Sequence, residues 1–242
     1  MIELLGVGVR HRKGGWLVRN VCARLEAGEL TLVVSPQPEG RRALTESVAG
    51  YRVPDEGRLW VNHVPLLRAT ARRLRGLCGL IELPGRLVGE RSILWNALAP
   101  TRTVRALGGL LRLPRRQDRH AVDAALERVG LRGRSQEPAA VLAVTDRLRL
   151  LVARALVQEP EHLVVSEPDA VLTPAELAVF IGLLRSIADR QRLGVIVSVA
   201  HGMDVWRLVD RLLVLDGDRL IFAGPPDDVE DARGRRTGAL TT

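Results

Sequence analysis

Lysine is nearly absent from this chain. Lys13 is the only one, although Lys and Arg together number 36 against 28 acidic residues. The formal charge of +8 is therefore almost wholly guanidinium. Arginine bias in the coding sequence gives such a balance; the functional alternative is an anionic partner, either nucleic acid or a membrane surface. Aromatic residues are also scarce, at 3 %, which argues against a surface that stacks bases. The two cysteines, Cys22 and Cys78, lie in apolar stretches and suggest neither a disulfide framework nor a metal site. No uncharged apolar run approaches the ~18 residues expected of a membrane-spanning helix. The start, MIELLGVGVR, lacks the basic region and small-residue cleavage site of a secretory leader. A cytosolic chain is expected, with any membrane attachment made through a partner.

What is present is an ordinary globular composition, 46 % hydrophobic over 242 residues, enough for one large domain or a core with an insertion. The first part reads as strands: IELLGVGVR, NVCARLEAG and GRLWVNHVPL are short, partly alternating apolar runs. GELTLVVSP is near-continuously apolar, as in a strand buried on both faces. Residues 86–157 change character, with helical spacing in ILWNAL, VRALGGLLRL, RHAVDAALERVGL and DRLRLLVARALVQ. Strands and helices then alternate. EHLVVSEP and GVIVSVAH read as buried strands, and TPAELAVFIGLLRSIADRQ as a helix capped by Thr173 with Pro174 at its first position. RLLVLDGDRLIFAG is a hairpin around Asp216 and Gly217. The final DARGRRTGALTT reads as a frayed tail. Strand–helix alternation predicts a mostly parallel sheet covered by helices.

The stretch VVSPQPEGRRAL, residues 33–44, carries the sharpest question. An apolar strand enters a turn, then a glycine, two cations and a helix expected from about Gly40 to Ala49. A phosphate-binding loop has the form G-x-x-x-x-G-K-[ST], with backbone amides cradling phosphate, a lysine on the terminal phosphates and a hydroxyl on Mg²⁺. Aligned on the preceding strand, Ser35 stands at the first glycine and Gly40 at the second. Arg41 stands at the lysine, and Arg42 and Ala43 at the hydroxyls. Pro38 removes an amide and fixes φ near −65°. Glu39 opposes a polyphosphate, and Arg41 offers a planar fork in place of a point charge. The blander reading is a strand–turn–helix with surface arginines.

The order of these pieces resembles the ATP-binding subunit of ABC transporters over nearly the whole chain. VARALVQEPEHLVVSEPDAVLTPAE, residues 152–176, looks like that family's run from signature helix to second strand, Glu-Pro turn and Pro-started helix. VIVSVAH and LDGDRLIFAGPPDDV continue the match. The resemblance implies a P-loop NTPase-like α/β core: residues 1–85 with an antiparallel β part, a helical subdomain over 86–157, and the second half of the core over 158–242. It also implies site positions. Glu167 matches the catalytic base and His201 the switch histidine. Ser166 stands at the magnesium-holding aspartate and Glu82 at the Q-loop glutamine. The signature LSGGQ corresponds to Leu142, Ala143, Val144, Thr145 and Asp146, and here Thr145 or Asp146 reads more simply as a helix N-cap. His11, with Trp16 as the alternative, lies nearest the adenine-stacking aromatic. AVLT, residues 170–173, lacks the closing aspartate.

The phosphate loop, both magnesium positions and the signature depart together, and they share one job. The expectation is a pseudo-ATPase subunit with no cofactor, ATP and Mg²⁺ being bound only under the alternative below. The family implies a peripheral location at the inner face of the cell membrane. The implied partners are a membrane permease and a second ATPase subunit, or a second copy of this chain. Residues 83–98 match the permease-facing groove, with Ile93, Leu94 and Trp95 either contacting the permease or packing in the core. The alternatives are a weak ATPase using Arg41 and Glu167, or a regulatory or nucleic-acid-binding module on the same fold. For the last, RRLRG and RLPRRQDRH are the basic patches, but no DNA-reading motif accompanies them, so no nucleic acid partner is expected.

Overall fold

The near-continuous apolar runs become strands buried on both faces, as a sheet sandwiched between helices requires. The computed structural model describes residues 1–83, 85–106, 116–201 and 205–229. Part of the stretch expected as a helix over 104–113 and the expected frayed tail lie outside them. The chain begins with β1 (Ile2–Arg10), β2 (Trp16–Leu25), β3 (Leu30–Val34) and α1 (Pro38–Val48). Then come β4 (Glu56–Val61), β5 (Val64–Pro65), α2 (Ala71–Leu77) and β6 (Cys78–Glu82). Three helices follow, α3 (Ile93–Ala106), α4 (Arg116–Arg128) and α5 (Val144–Leu156). The chain returns through β7 (His162–Ser166), α6 (Pro174–Gln191), β8 (Gly194–Val199), β9 (Arg211–Asp216) and β10 (Arg219–Gly224).

Among the described residues these strands form a ten-stranded sheet in the order β5-β4-β1-β2-β10-β9-β3-β8-β7-β6. β9, β3, β8, β7 and β6 are parallel. β1, β2, β4 and β5 pair antiparallel. The alternation of side chains sorts the core. Leu30, Leu32, Leu163, Val165, Val195 and Val197 share one cluster with α3, α4, α5 and α6. Val33, Val164 and Ile196 point the other way, into a cluster with α1, α2 and the antiparallel strands.

Local signals explain several boundaries. Thr173 caps α6 through a full capping box with Glu176, with Pro174 in the first turn. The β9–β10 hairpin turns at Gly217, whose φ is +58°. The run GRLWVNHVPL is a tight hairpin of two strands, turning at Asn62 and His63 with φ of +48° and +63°. Helix α1 starts at Pro38, two residues before the expected Gly40. Proline suits the first helical position because no intrahelical partner exists there for an amide. Gly40, already inside the helix, lets α1 approach β2: a Cβ there would lie 3.0 Å from the Leu17 carbonyl oxygen. Ile93 and Leu94 are core residues. Trp95 is half-buried, with the Arg91 guanidinium 5.7 Å from its ring centroid.

Candidate functional site

The matched residues meet at the carboxyl ends of the parallel strands, where open α/β sheets place their ligands. Glu82, Ser166 and Ser198 are in register across β6, β7 and β8. Ser35 follows β3 directly, and His201 lies exposed two residues past the end of β8.

The turn between β3 and α1 satisfies most of its own donors internally. The Ser35 amide donates to the Val199 carbonyl at 3.2 Å. The Gln37 amide donates to Ser35 Oγ at 3.2 Å, and that hydroxyl donates to Gln37 Oε1 at 3.0 Å. Pro36 and Pro38 have no amide hydrogen. The Arg41 amide donates to the Gln37 carbonyl at 3.3 Å. Only the Glu39 and Gly40 amides remain outside these bonds, at a first helical turn that has no internal partners for them. A phosphate loop works by aiming a row of amides at one anion.

Arg41 is turned inward, its side chain only 6 % exposed. One guanidinium nitrogen donates to the Ser35 carbonyl. The other terminal nitrogen donates to Glu167 Oε1 at 2.8 Å. The lysine-position cation and the base-position carboxylate therefore neutralise each other. Glu167 is held for this by its backbone: φ is +57°, and its amide donates to the Ser198 carbonyl at 2.9 Å. Arg42 is exposed. The Ser166 hydroxyl donates to Thr45 Oγ1 at 3.1 Å, and Thr45 in turn donates to the Arg41 and Arg42 carbonyls at 3.0 and 3.1 Å. Among the described residues no group of His, Cys, Asp or Glu is placed to hold a metal ion. As arranged, these residues do not fit a magnesium–nucleotide complex. The amide row is broken, the hydroxyl ligand is an arginine, the aspartate is a serine turned into α1, and the cation faces its own carboxylate.

Two participants escaped the sequence reading. Thr45 binds Ser166, and Asp169 ties the turn after β7 to the end of β8, its Oδ2 accepting the Ala200 amide at 2.7 Å. The Glu-Pro-Asp sequence was the available signal for Asp169. Thr45, inside a helix, gave none.

The signature-equivalent residues sit at the start of α5. The N-cap is Ala143, with no side-chain cap; the expectation of Thr145 or Asp146 as N-cap is corrected. Both lie inside the first turn, where the Asp146 carboxylate complements the helix dipole. It also pairs with Arg134 at 2.8 Å and Arg149 at 3.3 Å. Arg134 forks onto Glu137 as well, and its hydrogen bonds hold that carboxyl below its ordinary pKa. Val144 stays exposed. His11 lies 3.8 Å from Glu39 in the first turn of α1. Trp16 is flanked by Arg10 and Arg19, whose guanidinium carbons lie 4.3 and 5.4 Å from the ring centroid.

The ABC transporter family model matches residues 18–170, more than half of the chain. The chain belongs to the ABC transporter ATP-binding family. The phosphonates import ATP-binding protein PhnC of Thiobacillus denitrificans is 27 % identical over 238 residues, covering 98 % of this chain and 91 % of that protein. The zinc import ATP-binding protein ZnuC of Brucella suis biovar 1 is 30 % identical over 230 residues, covering 95 % and 68 %. The solved structure of cbiO1 from Clostridium perfringens, part of the ABC transporter complex cbiONQ, shares the fold. Its TM-score is 0.82 at 22 % identity, over 99 % of this chain and 94 % of that one. Among the described residues no helix is long and apolar enough to cross a membrane.

Proposed function

We propose that this chain is a non-hydrolysing subunit of an ABC import complex. It acts as a scaffold that docks on a membrane permease at the inner face of the membrane and pairs with a more complete ATPase subunit. The observation that carries the reading is the Arg41–Glu167 pair. A cation already neutralised by the base-position carboxylate has little left for a triphosphate, and a carboxylate already paired is a poor base. Phosphoryl transfer depends on positioning and charge stabilisation by loop amides, a cation and Mg²⁺, and each of these is altered here. The assignment to import follows the names of the relatives.

The test is equilibrium binding of ATP to the purified whole chain, with and without Mg²⁺, alongside phosphate release. No saturable binding up to millimolar ATP is expected, and no turnover that Glu167→Gln removes. Magnesium-dependent micromolar binding together with Glu167-dependent turnover would refute the scaffold reading and establish a true ATPase.

A further inference from the structure

A polar pocket lies away from the Arg41 turn, where two ladders are interrupted. β10 joins β2 through one register pair, Arg219 with Arg19. The β1–β2 ladder shifts register between Leu4 and Val7. At that shift Gly6 and Asn20 take left-handed φ of +62° and +52°. Bulges of this kind re-aim side chains and collect next to sites. An open pocket of about 470 Å³ lies there, lined by Gly6, Arg19, Asn20, Glu56, Arg219 and Leu220. That is the size of small-molecule sites, ~300–1,000 Å³.

Its charge is unbalanced. Like charges directly opposite each other on neighbouring strands destabilise a sheet, yet Arg19 and Arg219 are register partners. Among the described residues neither has a carboxylate within ion-pair distance. The cavity's own carboxylate, Glu56, is held by Arg10 at 3.0 Å. Arg19 leans over Trp16, at 5.4 Å from the ring centroid, a contact that positions the guanidinium without neutralising it. Two forked donors, exposed at the lining of one concavity, match a doubly charged oxyanion.

We propose that this pocket binds a phosphomonoester, carried by a small soluble molecule or by a lipid headgroup. The proposal is independent of the state of the Arg41 turn, because none of its residues takes part there.

The probes are glycerol 3-phosphate, measured by calorimetry at low salt, and phosphatidylcholine vesicles with or without phosphatidic acid, measured by co-sedimentation. Trp16 emission gives a second readout, assigned with Trp16→Phe. Saturable binding of glycerol 3-phosphate is expected, weakened at least tenfold (~1.4 kcal/mol) in Arg19→Gln/Arg219→Gln. The same charge removed at Arg12→Gln/Lys13→Gln, exposed in the β1–β2 turn, should change it less than about twofold, since surface charges act there only through screened attraction. Circular dichroism checks that each variant is folded, and the single variant Arg219→Gln serves if the double is not. Binding to phosphatidic acid vesicles alone, lost in the same variants, assigns the site to a headgroup. No binding to either probe overturns the proposal. So does binding that survives the Arg19/Arg219 substitutions, or that falls equally in the Arg12/Lys13 control.

Discussion

Removing the Glu167 carboxylate should act first on folding. In Glu167→Ala, Arg41 keeps its place, 6 % exposed, with the Ser35 carbonyl as an acceptor but without its counter-charge. Breaking a buried ion pair from one side costs ~3–5 kcal/mol. The Glu167 side chain is 18 % exposed, so water relieves part of the penalty and the lower end, about 3 kcal/mol, is expected. For a chain of this size that lowers Tm by roughly 6–12 °C. Alanine is the right substitution because it is as strained as glutamate at a left-handed φ, whereas glycine would relieve strain and mask the loss. Arg41→Met in the Glu167→Ala background should recover most of the stability, with a coupling energy near 2 kcal/mol in the double-mutant cycle. Urea unfolding with an unchanged m-value, together with calorimetry, measures both quantities. A loss below about 0.5 kcal/mol, the level of an ordinary surface residue, or strict additivity in the cycle, would refute the idea that the two charges hold each other.

Two further predictions concern buried titratable groups. His162, at the start of β7, is depressed from 6.5 to about 4, first by burial and then by the nearby N-terminal ammonium. The unfolded chain therefore binds more protons between those values. The stability contribution is present above pH 6.5 and is lost as pH falls through 4. It amounts to roughly 3 kcal/mol at 1.36 kcal/mol per unit, so urea midpoints should fall over that range in the wild type and less steeply in His162→Leu. Burial and then Glu161 push the Cys78 thiol up to about 12, while Cys22 is exposed. One thiol should react with a colorimetric disulfide reagent in the native chain near pH 8 and both in denaturant. Because the folded thiol holds its proton longer, stability should decline as pH rises from 9 towards 12.

The sequence by itself determined most of the elements and their order, but not α2 or β6. Continuous apolar runs against alternating ones separated the parallel strands β3, β7 and β8 from the antiparallel strands β1, β2 and β4. Thr173-Pro174 marked the start of α6, and Asp216-Gly217 marked the last hairpin. These signals are local, written in backbone preference and side-chain period within a few residues. The sequence also singled out Ser35, Arg41, Ser166 and Glu167 by their departure from a phosphate loop. Alignment to such a loop put the start of α1 at Gly40, although Pro38 was itself the better start signal. What these side chains do was decided only by tertiary structure. Arg41 and Glu167 are 126 residues apart, and Thr45 and Ser166 are 121 apart. They meet because β7 lies beneath α1 in the sheet. The N-cap at Ala143 was likewise set by packing, since α5 had to bury Leu148, Leu151 and Val152 against its neighbours. The Arg19–Arg219 cavity exists only where β2 and β10, distant in the chain, barely meet. Contacts of this kind are fixed by sheet order and ladder defects, which no local preference encodes.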